Sequence, residues 1–363
     1  MVGNEKIKLY YVRGGTSSGV IIQKKDLPED RESIERIARE IFGVPRSSCQ
    51  PPDEYQIEGI GKGKSTSNKL FIIDVNIEDK MVCSTFIQLE NISSRVSWDV
   101  NCGNMTTAIP LVLDDLGLMD VINHNEKITI HNTNTNKIIY CSLPKNGGEN
   151  KLCKIPGVYH RYPEIDISFK NPEASTTNAL FPTGKKTDNI NGKSITCIDA
   201  VIPMVIMRAE DFGLSGMESK AEMSEKHRVL NEIEEIRVKA GVLMGIKNKS
   251  GANMTEDEIR ESITVPKISL ISQGGDGYDI SAFYLTPKEI HNSIAVSGGV
   301  CLSYACYISN TVASQIYCNA DVRVKHFSGI SEFGVVDSDG EIEIYTKRNA
   351  QIYISGDFYL YDT

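Results

Sequence analysis

Two stretches of this chain put reactive or anion-binding groups where a strand gives way to a helix. The first is Trp98-Asp99-Val100-Asn101-Cys102-Gly103-Asn104-Met105-Thr106, a strand-end, turn and helix-start pattern. The free backbone N–H groups of a helix start can bind a substrate carboxylate or favour a thiolate. Gly103 would let a ligand approach the backbone, with Asn104 and Met105 completing the first turn. The same pattern fits a buried structural cysteine beside a capping Asn, and spacing does not separate the two readings. The second stretch is Ser297-Gly298-Gly299-Val300-Cys301, in which Ser297 takes the place of Cys102 and Cys301 lies one helical turn further in, with the core as its alternative facing. Two facing thiols would suit a two-base racemase. A thiol facing a hydroxyl suits a one-sided proton shift, because serine is a poor base without activation.

Lys69 and Lys267 each open an apolar strand, after Ser67-Asn68 and Pro266 respectively. A lysine at the mouth of a buried strand can be desolvated into general-base range, although a solvated strand end is the plainer reading. Gly15-Thr16-Ser17-Ser18-Gly19 fits G-x-S-x-G, but strand-like Val20–Gln23 follows where a nucleophile elbow needs a helix. Gly63-Lys64-Ser65 resembles the end of a P-loop, yet Glu58 stands where the first glycine belongs. Both loops could still offer backbone donors to an anion, Thr16, Ser17 and Ser18 among them. The six histidines, at 124, 131, 160, 227, 291 and 326, form no metal-ligand spacing, so no metal site is expected. His291, just before the second helix start, is a candidate contact, with a capped or half-buried histidine as the simpler alternative.

The elements that must position these groups repeat. Ile34, Ile37, Ala38, Ile41 and Phe42 make one amphipathic helix, stopped by Gly43, and Leu230, Ile233, Ile236, Ala240 and Leu243 make a second. Each follows a strand–loop–strand unit, around Gly15 in one half and Ile202 in the other. Each precedes a strand opened by a lysine and then a small-residue helix start. This common order predicts a duplicated α+β lobe, a curled sheet wrapped around its helix. The Asn-, Gly-, Pro- and Lys-rich stretch from Pro144 to Asn191 reads as a connector.

Length and composition bound the rest. A chain of 363 residues favours two domains, and 40% hydrophobic with 24% charged residues is ordinary for a soluble globular protein. The net charge of −9 argues against broad nucleic-acid or anionic-membrane binding. No apolar run approaches the roughly 20 residues of a membrane span, and strand-like sequence begins at once after Met1, so no targeting segment is expected. Nine cysteines without regular spacing suit free thiols in a reducing, cytoplasmic compartment.

In order and spacing, a set of markers along nearly the whole chain resembles the PrpF-type isomerases, which have a diaminopimelate epimerase-like fold. The markers are Arg13-Gly14-Gly15-Thr16-Ser17, Ser67-Asn68-Lys69, Asn101-Cys102-Gly103-Asn104-Met105, Leu180-Phe181-Pro182-Thr183-Gly184, Asp199-Ala200 with Pro203, and Pro266-Lys267-Ile268. His291 with Ser297-Gly298 and Cys301, His326-Phe327-Ser328-Gly329, and Arg348 with Ala350 complete them. The resemblance implies two pseudo-symmetric α+β lobes, each a β-barrel-like sheet around a central helix, with the site between them. It places the lobes at residues 1–185, completed by the last C-terminal strand, and 186–363. It further implies a cofactor-independent isomerase that shifts a proton, or turns a double bond cis–trans, in an aconitate- or itaconate-like di- or tricarboxylic acid. Lys69 and Cys102 match the residues that move the proton in the family. The candidate substrate contacts are Thr16, Ser17, Ser18, Ser67, Gly103, Asn104, Met105, Lys267, His291, Ser297, Gly298, Gly299 and Cys301. The expected partner is a small carboxylate, not nucleic acid or membrane, and a homodimer is compatible with the sequence. The family usually has Lys at Ser18, Gly-Gly at Lys62-Gly63, Asn at Ile202 and Gly at Asn310. Ser18 and Ile202 also admit an isomerase or cyclase of a larger, less charged metabolite, or a non-catalytic binding protein on the same fold.

Overall fold

The computed structural model describes residues 5–45, 58–61, 66–90, 93–98, 101–123, 127–248, 250–287 and 289–361. The chain divides into two compact units. The first comprises Met1–Lys154, His160–Ile167 and Arg348–Thr363, and the second Ile155–Tyr159 and Ser168–Lys347.

In the first unit, Glu5–Gly14 and Ser17–Gln23 form an antiparallel hairpin, and Ser17–Gln23 then runs parallel to Lys69–Asn76. Lys69–Asn76 pairs antiparallel with Met81–Leu89, which runs parallel to Ile128–Asn132, itself antiparallel to Lys137–Ser142. Residues 350–360 add a further antiparallel neighbour to Glu5–Gly14. Each parallel pair needs a crossover, and helices occupy both. Arg31–Phe42 covers the first, capped by Asp30 and ended by left-handed Gly43. Its buried face of Ile37, Ala38, Ile41 and Phe42 packs on Val20, Ile22, Leu70, Ile72, Ile87 and Leu89. Because strand side chains alternate, Ile21, Phe71, Lys69, Phe86 and Gln88 belong to the opposite face of the sheet.

The second crossover carries a broken helix, Gly103–Thr106 then Ile109–Asp115. Pro110 has no N–H with which to continue the ladder, and the turn between is closed by short bonds from Thr107 N to Asn104 O and Ala108 N to Met105 O. The Tyr10 hydroxyl, donating to Asp115 at 2.9 Å, ties the far end of this helix to the first strand.

The second unit repeats the alternation of antiparallel and parallel pairs in the same order. Lys193–Ala200 and Ile202–Arg208 form the hairpin, Ile202–Arg208 runs parallel to Lys267–Gly275, and Lys267–Gly275 pairs antiparallel with Tyr278–Thr286. Tyr278–Thr286 runs parallel to Asp321–His326, which is antiparallel to Gly329–Ser338. The crossovers are His227–Leu243 and Val296–Tyr307. The latter is buried from Val296 to Cys306 and touches strands on several sides, as a helix apolar all round must. The α+β architecture of curled sheets around helices is therefore present in both units.

Four details differ from expectation. The left-handed residue matching Gly15 (φ 53°) is Val201 (φ 68°), not Ile202. The first helical bond is accepted by Cys102 in one unit and by Ala295 in the other, so Ser297 is the second helical residue and not the cap. Leu243 is exposed, whereas Arg237 on the same helix is fully buried, held by Glu234 at 2.6 Å and by the carbonyls of Ile259 and Val265. The stretch from Pro144 to Asn191 is not a bare connector, since it contains the strand Tyr162–Lys170 with Ile165, Ile167 and Phe169 buried. Its alternating Ile-x-Ile-x-Phe pattern was visible among the polar residues.

Among the described residues no helix is long and apolar enough to cross a membrane, and the eight described cysteines are free thiols.

Candidate functional site

The turn at Gly14–Thr16 and the helix start at Cys102–Met105 are in contact within the first unit. A Cβ on Gly14 would overlap the Asn104 carbonyl and come within 2.9 Å of Met105 Cα, so only glycine allows this approach. Gly15 lies against the Asn104 side chain, and Asn104 Nδ2 donates to Thr16 Oγ1 at 3.2 Å. Asn104 is buried, and its Oδ1 has no hydrogen-bond partner among the described residues. Cys102 is half-buried and caps the helix with its backbone alone, the thiol making no capping bond. Asn101 Oδ1 accepts the Cys102 N–H at 2.7 Å, and Thr106 Oγ1 donates to the Cys102 carbonyl at 3.1 Å, so polar bonds on both sides fix this residue's backbone. Gly103–Thr106 is a single helical turn. The early N–H groups of that turn, rather than a long helix dipole, are what it can offer an anion.

Lys69 is not a solvated strand end. It is 8% exposed, lies opposite Gln88 in the antiparallel register, and donates from Nζ to Gln88 Oε1. Phe86 lies on the same face, its ring centroid 5.1 Å from Nζ. Gly19 on the neighbouring strand leaves room for the Lys69 backbone, which a Cβ would overlap. Ser18 N donates to Thr66 O at 2.9 Å, and Ser67 Oγ lies 3.4 Å from Asn68 Oδ1. Ser17 is buried beside half-exposed Ser18. Ser17 itself opens the strand Ser17–Gln23, so the nucleophile-elbow match fails structurally as well. Gly63-Lys64-Ser65, Lys62, Asp99-Val100 and His124 lie outside the described residues.

The second-unit candidates fall in two groups. Lys267 is half-buried at the start of its strand. His291 is half-buried, with Nδ1 3.0 Å from the Ser293 N–H and 2.6 Å from its carbonyl oxygen, and with its ring edge-on to Tyr284. Ser297 is buried in the first turn of its helix. Gly298, Gly299 and Cys301 form the other group, set against the interior of the second unit. A Cβ on Gly298 would overlap the Tyr284 ring and one on Gly299 the Phe333 ring, so these glycines admit aromatic packing. Cys301 is fully buried, its S–H directed at the Ile202 carbonyl 3.6 Å away, and burial pushes its thiol pKa well up. Among the described residues no group of three or more His, Cys, Asp or Glu side chains could hold a metal ion.

The model of the family described as PrpF protein matches residues 4–361. The chain belongs to the PrpF family. It is 29% identical to the 4-oxalomesaconate tautomerase of Pseudomonas putida, over 98% of this chain and 96% of that one. It is 26% identical to the 3-methylitaconate isomerase of Eubacterium barkeri, over 93% and 92% of the two chains. The crystal structure of a methylitaconate-delta-isomerase superposes with a TM-score of 0.79 at 25% identity, covering 98% of this chain and 96% of that chain.

Two departures from the PrpF pattern have visible settings. Asn310 is left-handed (φ 70°), a conformation that Asn tolerates better than any β-branched residue, so it can replace a glycine there. Ile202 is buried, with its carbonyl facing Cys301. Sequence reasoning missed Gln88 and Asn349. Gln88 could have been found from the strand pairing that sets it opposite Lys69, whereas Asn349, whose Oδ1 accepts from Arg13 Nη1 at 2.8 Å, sits unmarked between Arg348 and Ala350.

Proposed function

We propose that this PrpF-family chain is an isomerase that moves a double bond in an aconitate- or itaconate-like di- or tricarboxylic acid by an allylic 1,3-proton shift, or turns it cis–trans. The observation that carries the reading is Lys69, a buried lysine held by a glutamine amide in the same unit as a half-buried cysteine whose thiol is not used in capping. Either Lys69 or Cys102 takes the allylic proton, and the C–H electron pair passes into a dienolate stabilised by donors of the first helical turn. The double bond re-forms one carbon along, and the other group returns a proton to the far end. Atoms and charge balance with no redox change and no added cofactor. Thr16, Asn104 and the N–H groups of Gly103 to Met105 are the proposed carboxylate and oxyanion contacts, and the reaction is taken to be cytoplasmic. The names of the tautomerase and isomerase relatives support this reading.

The test is incubation with a panel of aconitate-, itaconate- and mesaconate-type acids in D₂O, followed by NMR. Allylic deuteration or isomerisation of any member is expected. Neither, across the panel, would remove the small-acid reading.

A further inference from the structure

We propose that Gln88 is a positioning residue for proton transfer, orienting the Lys69 amine without adding negative charge beside it. This rests on the reading of Lys69 as a proton-transfer group.

Gln88 is 7% exposed, and the environment decides which way round its amide sits. Its Nε2 donates to the carbonyls of Asn68, at 2.9 Å, and Leu89, at 3.1 Å. A flipped amide would set its oxygen against two carbonyl oxygens, so Oε1 must point away from them, toward Lys69 Nζ. The Asn68 carbonyl is itself fixed, since it accepts the Leu89 N–H at 3.0 Å. Backbone, amide and amine thus form one chain of bonds anchored in the sheet. A carboxylate at position 88 would favour the ammonium and hold its proton, whereas an amide oxygen accepts the hydrogen bond with no net charge.

The second unit sets a different residue opposite its strand-opening lysine. The register that pairs Ile268 with Leu285 brings Thr286 opposite Lys267, and the Thr286 hydroxyl donates to the Glu289 carbonyl at 3.2 Å.

The decisive measurement is competitive labelling of the intact protein with trace acetic anhydride, from neutral to strongly alkaline pH, with acetylation of Lys69 quantified by peptide mass spectrometry. Gln88→Glu should move the half-reactivity point of Lys69 to higher pH by about one unit or more. Gln88→Met, which removes an acceptor that favours the ammonium, should move it to lower pH. These opposite directions separate positioning from scaffolding, because a merely structural Gln88 would lower the melting temperature and leave the midpoint in place. If one variant fails to fold, the other is read alone. An unchanged midpoint in every folded variant overturns the proposal while leaving the role of Lys69 intact. Lys69→Ala is assayed separately in the D₂O experiment, and undiminished deuterium incorporation there would sink the reading of Lys69 itself.

Discussion

Arg13 Nη1 donates to Asn349 Oδ1 at 2.8 Å, joining residues 336 positions apart. The Asn349 carbonyl also accepts the Gly15 N–H at 2.9 Å, and its Nδ2 donates to the Cys153 carbonyl at 2.9 Å. Asn349 therefore fixes the turn that meets the Cys102 helix start. Arg13 stacks on Tyr162 with its centre 4.6 Å from the ring, and burial lowers its pKa from the ordinary guanidinium value. Asn349→Ala should destabilise the protein by roughly 1–3 kcal/mol for each buried group left unpaired. It should also weaken substrate binding, because Arg13, which donates to the Gly15 carbonyl at 2.7 Å, loses its side-chain acceptor. Thermal melting and KM measured together check this, and an unchanged KM would detach Asn349 from the site.

Substitution at the proposed proton-transfer groups should separate chemistry from folding. Lys69→Met and Cys102→Ser are each expected to cut allylic exchange by about 10²- to 10⁴-fold, the usual contribution of a general acid or base. Cys102→Ser should leave the melting temperature nearly unchanged, whereas Lys69→Met strips buried Gln88 Oε1 of its donor and should cost roughly 1–3 kcal/mol of stability. Deuterium incorporation followed by NMR, beside a melting curve, reads both quantities. Full activity in either variant would remove that residue from the mechanism.

Gly298→Ala and Gly299→Ala should each cost about 1–3 kcal/mol through overpacking, because the new methyl group overlaps Tyr284 or Phe333. Gly356→Ala is the control, since a Cβ there meets nothing within 4 Å. Chemical denaturation midpoints of the three variants would show the contrast. Equal stability at all three positions would mean that the rings move aside freely.

The cysteines should divide by burial. Cys141, Cys197, Cys301 and Cys306 have thiol pKa values pushed well up, with desolvation the leading cause in each. They stay protonated in the native protein and should resist iodoacetamide until it unfolds, whereas exposed Cys318 and half-buried Cys102 should label first. A carboxylate substrate should protect Cys102 and leave Cys318 unaffected. The sign of the linkage follows. A raised native pKa means that the folded state keeps protons which the unfolded chain releases above about pH 8.5. This contribution to stability is complete below that pH and is lost as pH rises. A melting temperature flat across the alkaline range would contradict it.

Sequence alone determined the repeated order of elements, the amphipathic stripe from Ile34 to Phe42 with its Gly43 stop, and the positions of Lys69 and Cys102. Each of these is a local matter. Apolar spacing, a cap or a strand opening is set by neighbours in the chain. Tertiary structure decided what those positions mean. Lys69 could have been a solvated strand end until pairing brought Gln88 and Phe86 against it. Nothing in the sequence signalled that Gly298 and Gly299 leave space for the Tyr284 and Phe333 rings. Cys301 shares a motif with Ser297, yet one turn of helix is enough to carry it into the core. The Arg13–Asn349 bond had no signature, because the two residues become neighbours only when the last strand pairs with the first. Burial and cross-strand partners belong to the folded sheet, and they decide whether a lysine, a glycine or a thiol is available for chemistry.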